Sequence, residues 1–220
     1  MKILVFGGSF DPVHQGHVAL FKKALKAVSP DVAHIVPAYH SPFKAKSPTP
    51  FKLRMQMLKK AFAGLGKNII FDDYELKRGG KTYTCQLIEY LQKRYKKPEI
   101  YLLVGTDCLN DVHNWKNPEI IFNNAVVVAG KRKGYDENPA AFKHIFLPGF
   151  FPKLSSSRVR AHILACGEIP NTVPAAVRPL IEQHQLYGLS IHAWLKSHLK
   201  TNRYIHSKSV AELAAVLSDI

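Results

Sequence analysis

The chain opens with the stretch MKILVFGGSFDPVHQGH, residues 1–17, and this stretch decides the fold. It begins with a short apolar run of strand length, which a pair of glycines ends. An amphipathic helical pattern starts where the stretch ends and runs to Val28. The order predicts a strand, a tight loop and a helix in direct succession, with His14 and His17 at the start of the helix.

The rest of the chain repeats this alternation of strands and helices. Apolar runs of strand length follow at residues 32–36, 69–71, 100–104, 125–129 and 144–147. Thr49 before Pro50 predicts a helix N-cap followed by a proline in the first turn, and Asn117-Pro118 repeats that signal. The pattern indicates an α/β protein, with a Rossmann-like, doubly wound parallel sheet covered by helices on both faces. In such sheets, ligands bind beyond the carboxyl ends of the strands.

The alternation stops near Gly188. We therefore expect a main domain at residues 1–188 and a helical tail at residues 189–220. The tail pattern indicates two helices, each with one apolar face. These faces would carry Ile191, Trp194, Leu195, His198 and Leu199 in the first helix, and Val210, Leu213, Ala214 and Leu217 in the second.

The chain is strongly basic, with 31 Lys and Arg residues against 16 Asp and Glu residues and a formal net charge of +15. Such a field attracts polyanions, so nucleic acid and small phosphorylated substrates are both candidate partners, besides a merely solvated basic surface. No apolar run approaches the length of about 18 residues that a membrane span needs. The three cysteines, Cys85, Cys108 and Cys166, form no close pair, which favours a reducing compartment. We expect a soluble, cytoplasmic protein.

The loop and helix start at residues 7–17 have the chemistry of an anion site. Two glycines permit positive φ and let backbone N–H groups approach a ligand closely. A helix N-terminus adds a partial positive charge at the same place. His14 and His17, three positions apart, can reach one face of the helix, and Gly16 between them leaves room for a nucleotide. A phosphate-bearing ligand is therefore predicted at this loop.

The segment His14-Gln15-Gly16-His17 matches the HxGH signature of the nucleotidylyltransferase superfamily. Further motifs are similar, in the same order, to those of the bacterial nicotinate-nucleotide adenylyltransferase family. They are Asp73 to Leu76, Thr82 to Thr84, Val104 to Asp107, Trp115, Lys131-Arg132, Leu154 to Arg160, and Val173-Pro174 to Leu186-Tyr187. The resemblance spans residues 1–188, whereas the first motif alone would indicate only the superfamily.

This resemblance implies that the 5′-phosphate of nicotinate mononucleotide attacks the α-phosphorus of ATP, giving deamido-NAD and pyrophosphate. It implies Mg²⁺ carried by ATP, with no metal ligand from the protein. The catalytic residues that it implies are His14, His17, Lys44 and Arg160. The implied ATP-binding residues are Gly7, Gly8, Ser9, Phe10, His14, His17, Gly105, Asp107, Ser156, Ser157 and Arg160. The implied mononucleotide-binding residues are Lys44, Tyr83, Thr84, Trp115 and Arg132, with Trp115 stacking on the pyridine ring.

Two segments depart from the family pattern. Lys81-Thr82 stands where the family commonly has proline and serine, and Gly130-Lys131 is not the usual pair before the arginine. Both segments border the predicted pyridine pocket, so nicotinamide mononucleotide stays an alternative substrate, as does phosphopantetheine. A basic nucleic-acid-binding protein is the alternative from another class, although the aromatic pattern of a recognised RNA-binding module is absent. We expect no specific nucleic acid and no membrane partner, and a homo-oligomer is left open.

The tail also resembles a known domain. Residues 194–212 are similar to the opening of an HD-type metal phosphohydrolase domain, with His206 at its first ligand position. The His-Asp pair and the later ligands that such a metal site needs do not follow before Ile220. We therefore expect an incomplete HD fragment, with no metal on His206 and no hydrolase activity.

Overall fold

A computed structural model of the chain describes residues 1–40, 49–105, 114–130, 143–149, 151 and 154–217. Within these residues, six strands form one parallel sheet, in the order β3-β2-β1-β4-β5-β6. The strands are β1 (Lys2–Gly8), β2 (Val32–Pro37), β3 (Ile69–Phe71), β4 (Glu99–Gly105), β5 (Ala125–Gly130) and β6 (His144–Leu147). The predicted strands and the Rossmann-like α/β class are confirmed.

Helices connect the strands and continue beyond the sheet. They are α1 (Gln15–Val28), α2 (Phe51–Ala61), α3 (Tyr74–Arg78), α4 (Thr84–Arg94), α5 (Pro118–Asn124), α6 (Ser156–Cys166), α7 (Arg178–Gln183), α8 (Leu189–His198) and α9 (Thr201–Leu217). A short 3₁₀ turn, Leu186–Gly188, joins α7 to α8. The predicted start of α5 is confirmed, because Asn117 is its N-cap residue and Pro118 its first residue.

The central strand, β1, lies where the order of the sheet reverses. Phe6 of β1 pairs with Ile35 of β2 on one side and with Leu103 of β4 on the other. One half of the sheet continues from β2 to β3, and the other continues from β4 to β5 and β6. Crossovers that leave such a point in opposite directions open a crevice at the carboxyl ends of the strands. The loop after β1 therefore lies at the position where this fold binds ligands.

The four inner strands, β2, β1, β4 and β5, are buried on both faces, which explains why their sequences are almost continuously apolar. Leu4 and Phe6 of β1 belong to a core that includes residues of α1, α2 and α6, and Ile3 and Val5 belong to a second core that includes residues of α4 and α5. The alternation follows from the period of two along a strand. The two cores fix β1 from both sides and thereby fix the start of the loop that follows it.

The predicted N-cap of α2 is wrong. The helix begins at Phe51, its N-cap residue is Pro50, and no side chain caps it. Thr49 lies one residue too early to be the cap, and its hydroxyl donates instead to the hydroxyl oxygen of Tyr187 at 3.1 Å. A long-range hydrogen bond has replaced the local one that the sequence predicts.

The two tail helices, α8 and α9, are confirmed, and they pack on α6. The His192 imidazole is buried, with Nε2 2.7 Å from the Leu164 carbonyl oxygen, and Lys208 forms an ion pair of 2.6 Å with Glu168. Much of each predicted apolar face lies in solvent, because Ile191, Trp194, Val210 and Leu213 are half exposed or more. Among the described residues, no helix has the length and apolar character of a membrane span.

A buried polar cluster joins β2 to the segment after β3. Nδ1 of His34 lies 2.8 Å from Oδ2 of Asp72, and Nε2 of His34 lies 2.8 Å from the hydroxyl oxygen of Tyr95. Burial raises the pKa of Asp72, but hydrogen bonds with His34 and the backbone N–H of Tyr74 outweigh it, so the pKa is lowered overall. The cluster satisfies the polar atoms of a histidine inside an otherwise apolar strand.

Glu75 of α3 is a second buried acid, close to the end of β2. One of its carboxylate oxygens accepts the backbone N–H of Tyr39 at 2.9 Å. Burial raises the pKa of Glu75 to about 7, although this hydrogen bond and the charges of Arg54 and Arg78 oppose the shift. The folded protein therefore retains a proton on Glu75 over a pH range in which the unfolded chain has released it.

This difference in pKa gives a pH-dependent stability. Between the ordinary pKa of 4.5 and the folded value of about 7, the folded state binds more protons, so its stability falls as pH rises through that window. Relative to Glu75→Gln, we expect the free energy of unfolding of the wild type to fall by about 2 kcal/mol between about pH 5 and about pH 8. Urea unfolding at both pH values measures it. Glu89→Gln, at an exposed position of α4, is the control and should show the same pH dependence of the free energy of unfolding as the wild type. If Glu75→Gln also showed the wild-type pH dependence, the raised pKa of Glu75 would be contradicted.

Candidate active site

The loop after β1 turns at Phe10. This residue has a φ of 48°, in the left-handed region, whereas Gly7 and Gly8 do not have positive φ, contrary to the expectation from the sequence. The buried Phe10 ring packs edge-on against Phe6 at 5.2 Å and against His17 at 5.0 Å between centroids. A Cβ atom on Gly8 would lie 3.0 Å from the tip of the Phe10 ring. The absence of a side chain at Gly8 therefore gives the Phe10 ring room.

His14 and His17 cap α1 reciprocally. The backbone N–H of His14 donates to Nδ1 of His17 at 3.1 Å, and that of His17 donates to Nδ1 of His14 at 3.4 Å. The two rings stack with centroids 3.6 Å apart, so the structure brings them together as their spacing predicts. Because each Nδ1 accepts a hydrogen bond, the neutral tautomer of each ring carries its proton on Nε2. Both imidazoles are thus hydrogen-bond donors through Nε2.

Gly16 makes this arrangement possible. A Cβ atom at this position would lie 3.0 Å from Nδ1 of His14 and 3.4 Å from Cβ of Leu154. The missing side chain lets the His14 ring fold back over the first turn of α1 and lets the segment before α6 approach. That Gly16 also leaves room for a nucleotide stays a prediction.

A buried polar network lies behind the loop, and sequence reasoning did not find it. The Tyr187 hydroxyl donates to Oδ1 of Asp11 at 2.7 Å, and the Thr49 backbone N–H donates to Oδ2 of Asp11 at 3.5 Å. Arg54, which is 1% exposed, donates from Nε to the Thr49 carbonyl oxygen at 3.1 Å and from Nη1 to the Ser9 carbonyl oxygen at 2.8 Å. We call Asp11, Thr49, Arg54 and Tyr187 the loop brace. A charged Arg54 among the apolar positions of α2 is the signal that could have revealed it.

The N-terminus of α6 contacts the other side of the loop. The Ser156 hydroxyl donates to the Pro12 carbonyl oxygen at 2.9 Å, and Nη1 of Arg160 donates to the Asp11 carbonyl oxygen at 2.7 Å. Nη2 of Arg160 lies 3.4 Å from the Ser157 hydroxyl oxygen. These predicted ATP-binding residues are therefore assembled beside Ser9 to His17, and their contact with phosphate stays a prediction.

The predicted pyridine-binding residues gather at the start of α4. Tyr83 is the N-cap residue of this helix, its backbone N–H donates to Oε1 of Gln86 at 3.0 Å, and Thr84 is the first helical residue. Nζ of Lys116 lies 4.6 Å from the centroid of the Tyr83 ring, which brings the neighbouring Trp115 to the same region. Trp115 is partly buried against the second core, so it is intermediate between a loop and a core tryptophan.

Three predicted residues lie outside the described part of the chain: Lys44, Asp107 and Arg132. Gly105, the last residue of β4, is described and pairs with Gly130 of β5. It places one further predicted ATP-binding position at the carboxyl edge of the sheet, on the strand beside β1.

The arrangement is suited to binding an anion. The N-termini of α1 and α6 meet at the loop, and the first turn of each helix lacks an acidic residue that would neutralise its partial positive charge. Two imidazole Nε2–H groups and the Arg160 guanidinium add hydrogen-bond donors. Such a cluster can hold phosphate groups and stabilise the negative charge that develops on them during transfer.

Comparisons with known proteins agree with this chemistry. Residues 5–162 match the cytidylyltransferase-like family. A protein of a Nitratiruptor species, named probable nicotinate-nucleotide adenylyltransferase, is 35% identical over 74% of this chain and 89% of its own length. A protein of the same name from Clostridium tetani is 32% identical over 84% of this chain and 98% of its own length.

The fold has a counterpart among solved structures. Plasmodium falciparum nicotinic acid mononucleotide adenylyltransferase, solved as a complex with NaAD, superposes with a TM-score of 0.71 at 20% identity, covering 86% of this chain and 98% of that one. At this identity the likeness establishes the shared fold, while the matches in sequence establish the relationship. The chain therefore belongs to the cytidylyltransferase-like family and to the nicotinate-nucleotide adenylyltransferases.

Proposed function

We propose that the protein transfers the AMP group of ATP to nicotinate mononucleotide, forming deamido-NAD and pyrophosphate. The observation that carries this proposal is the reciprocal capping of α1, which holds His14 and His17 as Nε2 donors at the switch point of the sheet. The names of the relatives support the substrate, as does the NaAD bound by the Plasmodium falciparum enzyme.

The reaction needs no nucleophile from the enzyme, because the phosphate of the mononucleotide is already anionic. One of its oxygens forms a bond to the α-phosphorus of ATP as the bond to the pyrophosphate oxygen breaks. Negative charge is spread over the phosphate oxygens in the transition state, where preorganised donors are most effective. His17 donates from Nε2 to these oxygens, and His14 fixes the His17 ring by stacking and by the capping bonds.

The N-terminus of α6 binds the triphosphate. Arg160 uses Nη1 for the Asp11 carbonyl oxygen and Nη2 for the Ser157 hydroxyl. A guanidinium has five N–H donors, so others can reach phosphate while these bonds hold its position. The Ser157 hydroxyl and the backbone N–H groups of Ser156 and Ser157 complete the proposed phosphate contacts. Lys44 is proposed to bind the phosphate of the mononucleotide, and Gly105 and Asp107 the nucleoside of ATP.

We propose that Mg²⁺ enters on the triphosphate, as part of the substrate. Asp11, the carboxylate in the loop, accepts hydrogen bonds from Tyr187 and Thr49 and so does not fit a metal ligand. Across the described ranges, His, Cys, Asp and Glu side chains form no group of three that would hold a metal ion. When bound, Mg²⁺ neutralises part of the phosphate charge, and the protein supplies position and hydrogen bonds.

The start of α4 selects the pyridine base. We propose that Trp115 stacks on the ring and that Tyr83, Thr84 and Arg132 bind the mononucleotide. The partial burial of Trp115 supports this role, since one face packs on the core and the residue retains exposed surface.

We infer that the tail has no metal-dependent hydrolase activity. His206 is exposed on α9, and the tail is held to α6 by His192 and by the ion pair of Lys208 with Glu168. These contacts support a tail that extends the main domain.

Pyrophosphate release tests the proposed reaction and the choice of base together. The protein is incubated with ATP and Mg²⁺ and, in separate reactions, with nicotinate mononucleotide, nicotinamide mononucleotide or phosphopantetheine. We expect release with nicotinate mononucleotide. Release only with one of the other two acceptors would reassign the substrate. Binding of a DNA or RNA oligomer that weakens steeply with salt, without any binding of ATP, would favour a nucleic-acid-binding protein instead.

The histidine pair gives a prediction for turnover. His17→Ala removes a preorganised donor to the transition state, so we expect kcat to fall by about 10² to 10³. Steady-state kinetics with ATP and nicotinate mononucleotide measure the change. His184→Ala, at an exposed histidine after α7, is the matched control and should keep the wild-type rate. A wild-type kcat in His17→Ala would remove this residue from the mechanism.

The two tryptophans allow a matched test of base binding. Trp115→Ala should mainly raise the KM for the mononucleotide, by roughly tenfold, because stacking acts on the bound substrate as well as on the transition state. Trp194→Ala, at a tryptophan that is 57% exposed on α8, should leave both constants unchanged. An unchanged KM with a lower kcat in Trp115→Ala would argue against stacking.

A further inference from the structure

The loop brace connects the loop after β1 to segments that are remote in sequence. Asp11 and Tyr187 are separated by 176 positions, and Ser9 and Arg54 by 45. Tyr187 also accepts a hydrogen bond from the Thr49 hydroxyl, so its own hydroxyl is bonded on both sides. Each member of the brace therefore restrains another, and Asp11 and Ser9 transmit the restraint to the loop.

The chemistry of the brace is more demanding than packing requires. Arg54 and Asp11 are each 1% exposed, and burying such charges is costly unless every hydrogen bond is made. Burial lowers the pKa of Arg54, while the charge of Asp11 opposes the shift. Apolar residues of similar volume would stabilise a core at least as well. The polar residues add directional hydrogen bonds, which hold the Ser9 carbonyl group and the Asp11 carboxylate in one geometry.

Tyr187 is held in an unusual backbone conformation to reach Asp11. Its φ is 60°, in the left-handed region, which is uncommon for a tyrosine. Burial raises the pKa of its hydroxyl, and the nearby charge of Asp11 adds to the shift, so the hydroxyl stays protonated and remains a donor. Strain of this kind persists only where the surroundings fix it, and here the fixed contact is the bond to Asp11.

The brace acts on residues that immediately precede the histidines. Asp11 is three positions before His14, and its carbonyl oxygen is held by Arg160 while its carboxylate is held by Tyr187. The next carbonyl oxygen, of Pro12, accepts the Ser156 hydroxyl. His14 can cap α1 only if the chain enters the helix in the observed direction, because its N-cap conformation is extended.

We propose that Tyr187 and Arg54 are positioning residues: through Asp11 and Ser9 they hold the loop that sets the stacked, Nε2-protonated pair of His14 and His17. The inference rests on the proposed adenylyl transfer for its kinetic consequence. Neither residue needs to touch a substrate, so both are expected to affect the chemical step more than binding. A misplacement of about 1 Å in a preorganised group is enough to slow a reaction markedly.

The first experiment is Tyr187→Phe, which removes one hydroxyl. We expect kcat to fall at least about tenfold, with each KM within about twofold of the wild type. Long-range ¹H–¹⁵N spectra of the histidine rings give a readout that does not depend on activity. In the wild type, His14 and His17 should show the Nε2-protonated tautomer, and in Tyr187→Phe their signals should shift toward a mixture of tautomers.

Tyr95→Phe is the matched control. It also removes a hydrogen-bonded hydroxyl, but that hydroxyl contacts His34 of the other buried cluster. We expect it to lower thermal stability by about as much as Tyr187→Phe while keeping the wild-type kcat and the wild-type signals of His14 and His17. A fall in kcat that merely followed stability would appear in both variants and would overturn the proposal.

Two further variants keep the test decisive if Tyr187→Phe does not fold. Thr49→Val keeps the backbone bond to Asp11 and removes only the hydroxyl bond to Tyr187, and Arg54→Lys keeps a charge with fewer donors. Both should lower kcat. Wild-type kcat and unchanged histidine signals in folded variants would overturn the positioning role. A wild type without adenylyl transfer would overturn the proposed reaction alone, because the tautomer spectra would still test the brace.

Discussion

The reciprocal capping of α1 by two imidazoles is the constraint on which the site depends. Each ring uses Nδ1 to accept a backbone N–H of the first turn, so the helix start and the two side chains determine one another. The His17 N–H also donates to the His14 carbonyl oxygen at 2.9 Å, so the imidazole bonds add to the backbone bonds of the helix start. They also fix which nitrogen of each ring carries the proton. The same two hydrogen bonds therefore cap α1 and set the tautomers of His14 and His17.

The central position of β1 explains why these contacts lie at a ligand site. β2 and β4 pair with it on either side, and cores on both faces of the sheet hold it. The loop that leaves β1 then meets the N-terminus of α6 on one side and the loop brace on the other. The residues proposed to bind phosphate thereby lie at the switch point, and the start of α4 gathers the residues proposed for the pyridine ring.

The sequence predicted what depends on local patterns and missed what depends on distant partners. The six strands followed from apolar runs buried on both faces, and the histidine pair followed from its spacing. Thr49 was predicted as a cap because its local neighbour is a proline, yet its hydroxyl is bonded to Tyr187. The turn was attributed to Gly7 and Gly8, although the positive φ belongs to Phe10, whose ring occupies the space beside Gly8. Such pairings become visible only when remote segments are brought together in three dimensions.

The reach of Tyr187 back to Asp11, over 176 positions, has a consequence for synthesis on the ribosome. Both imidazoles are translated within the first 17 residues of this sequence, but the last hydrogen bond to their loop requires a side chain that is made much later. The hydrogen bonds around the loop after β1 are therefore incomplete in a growing polypeptide that lacks Tyr187. Completion of the loop brace waits until Tyr187 has left the ribosome.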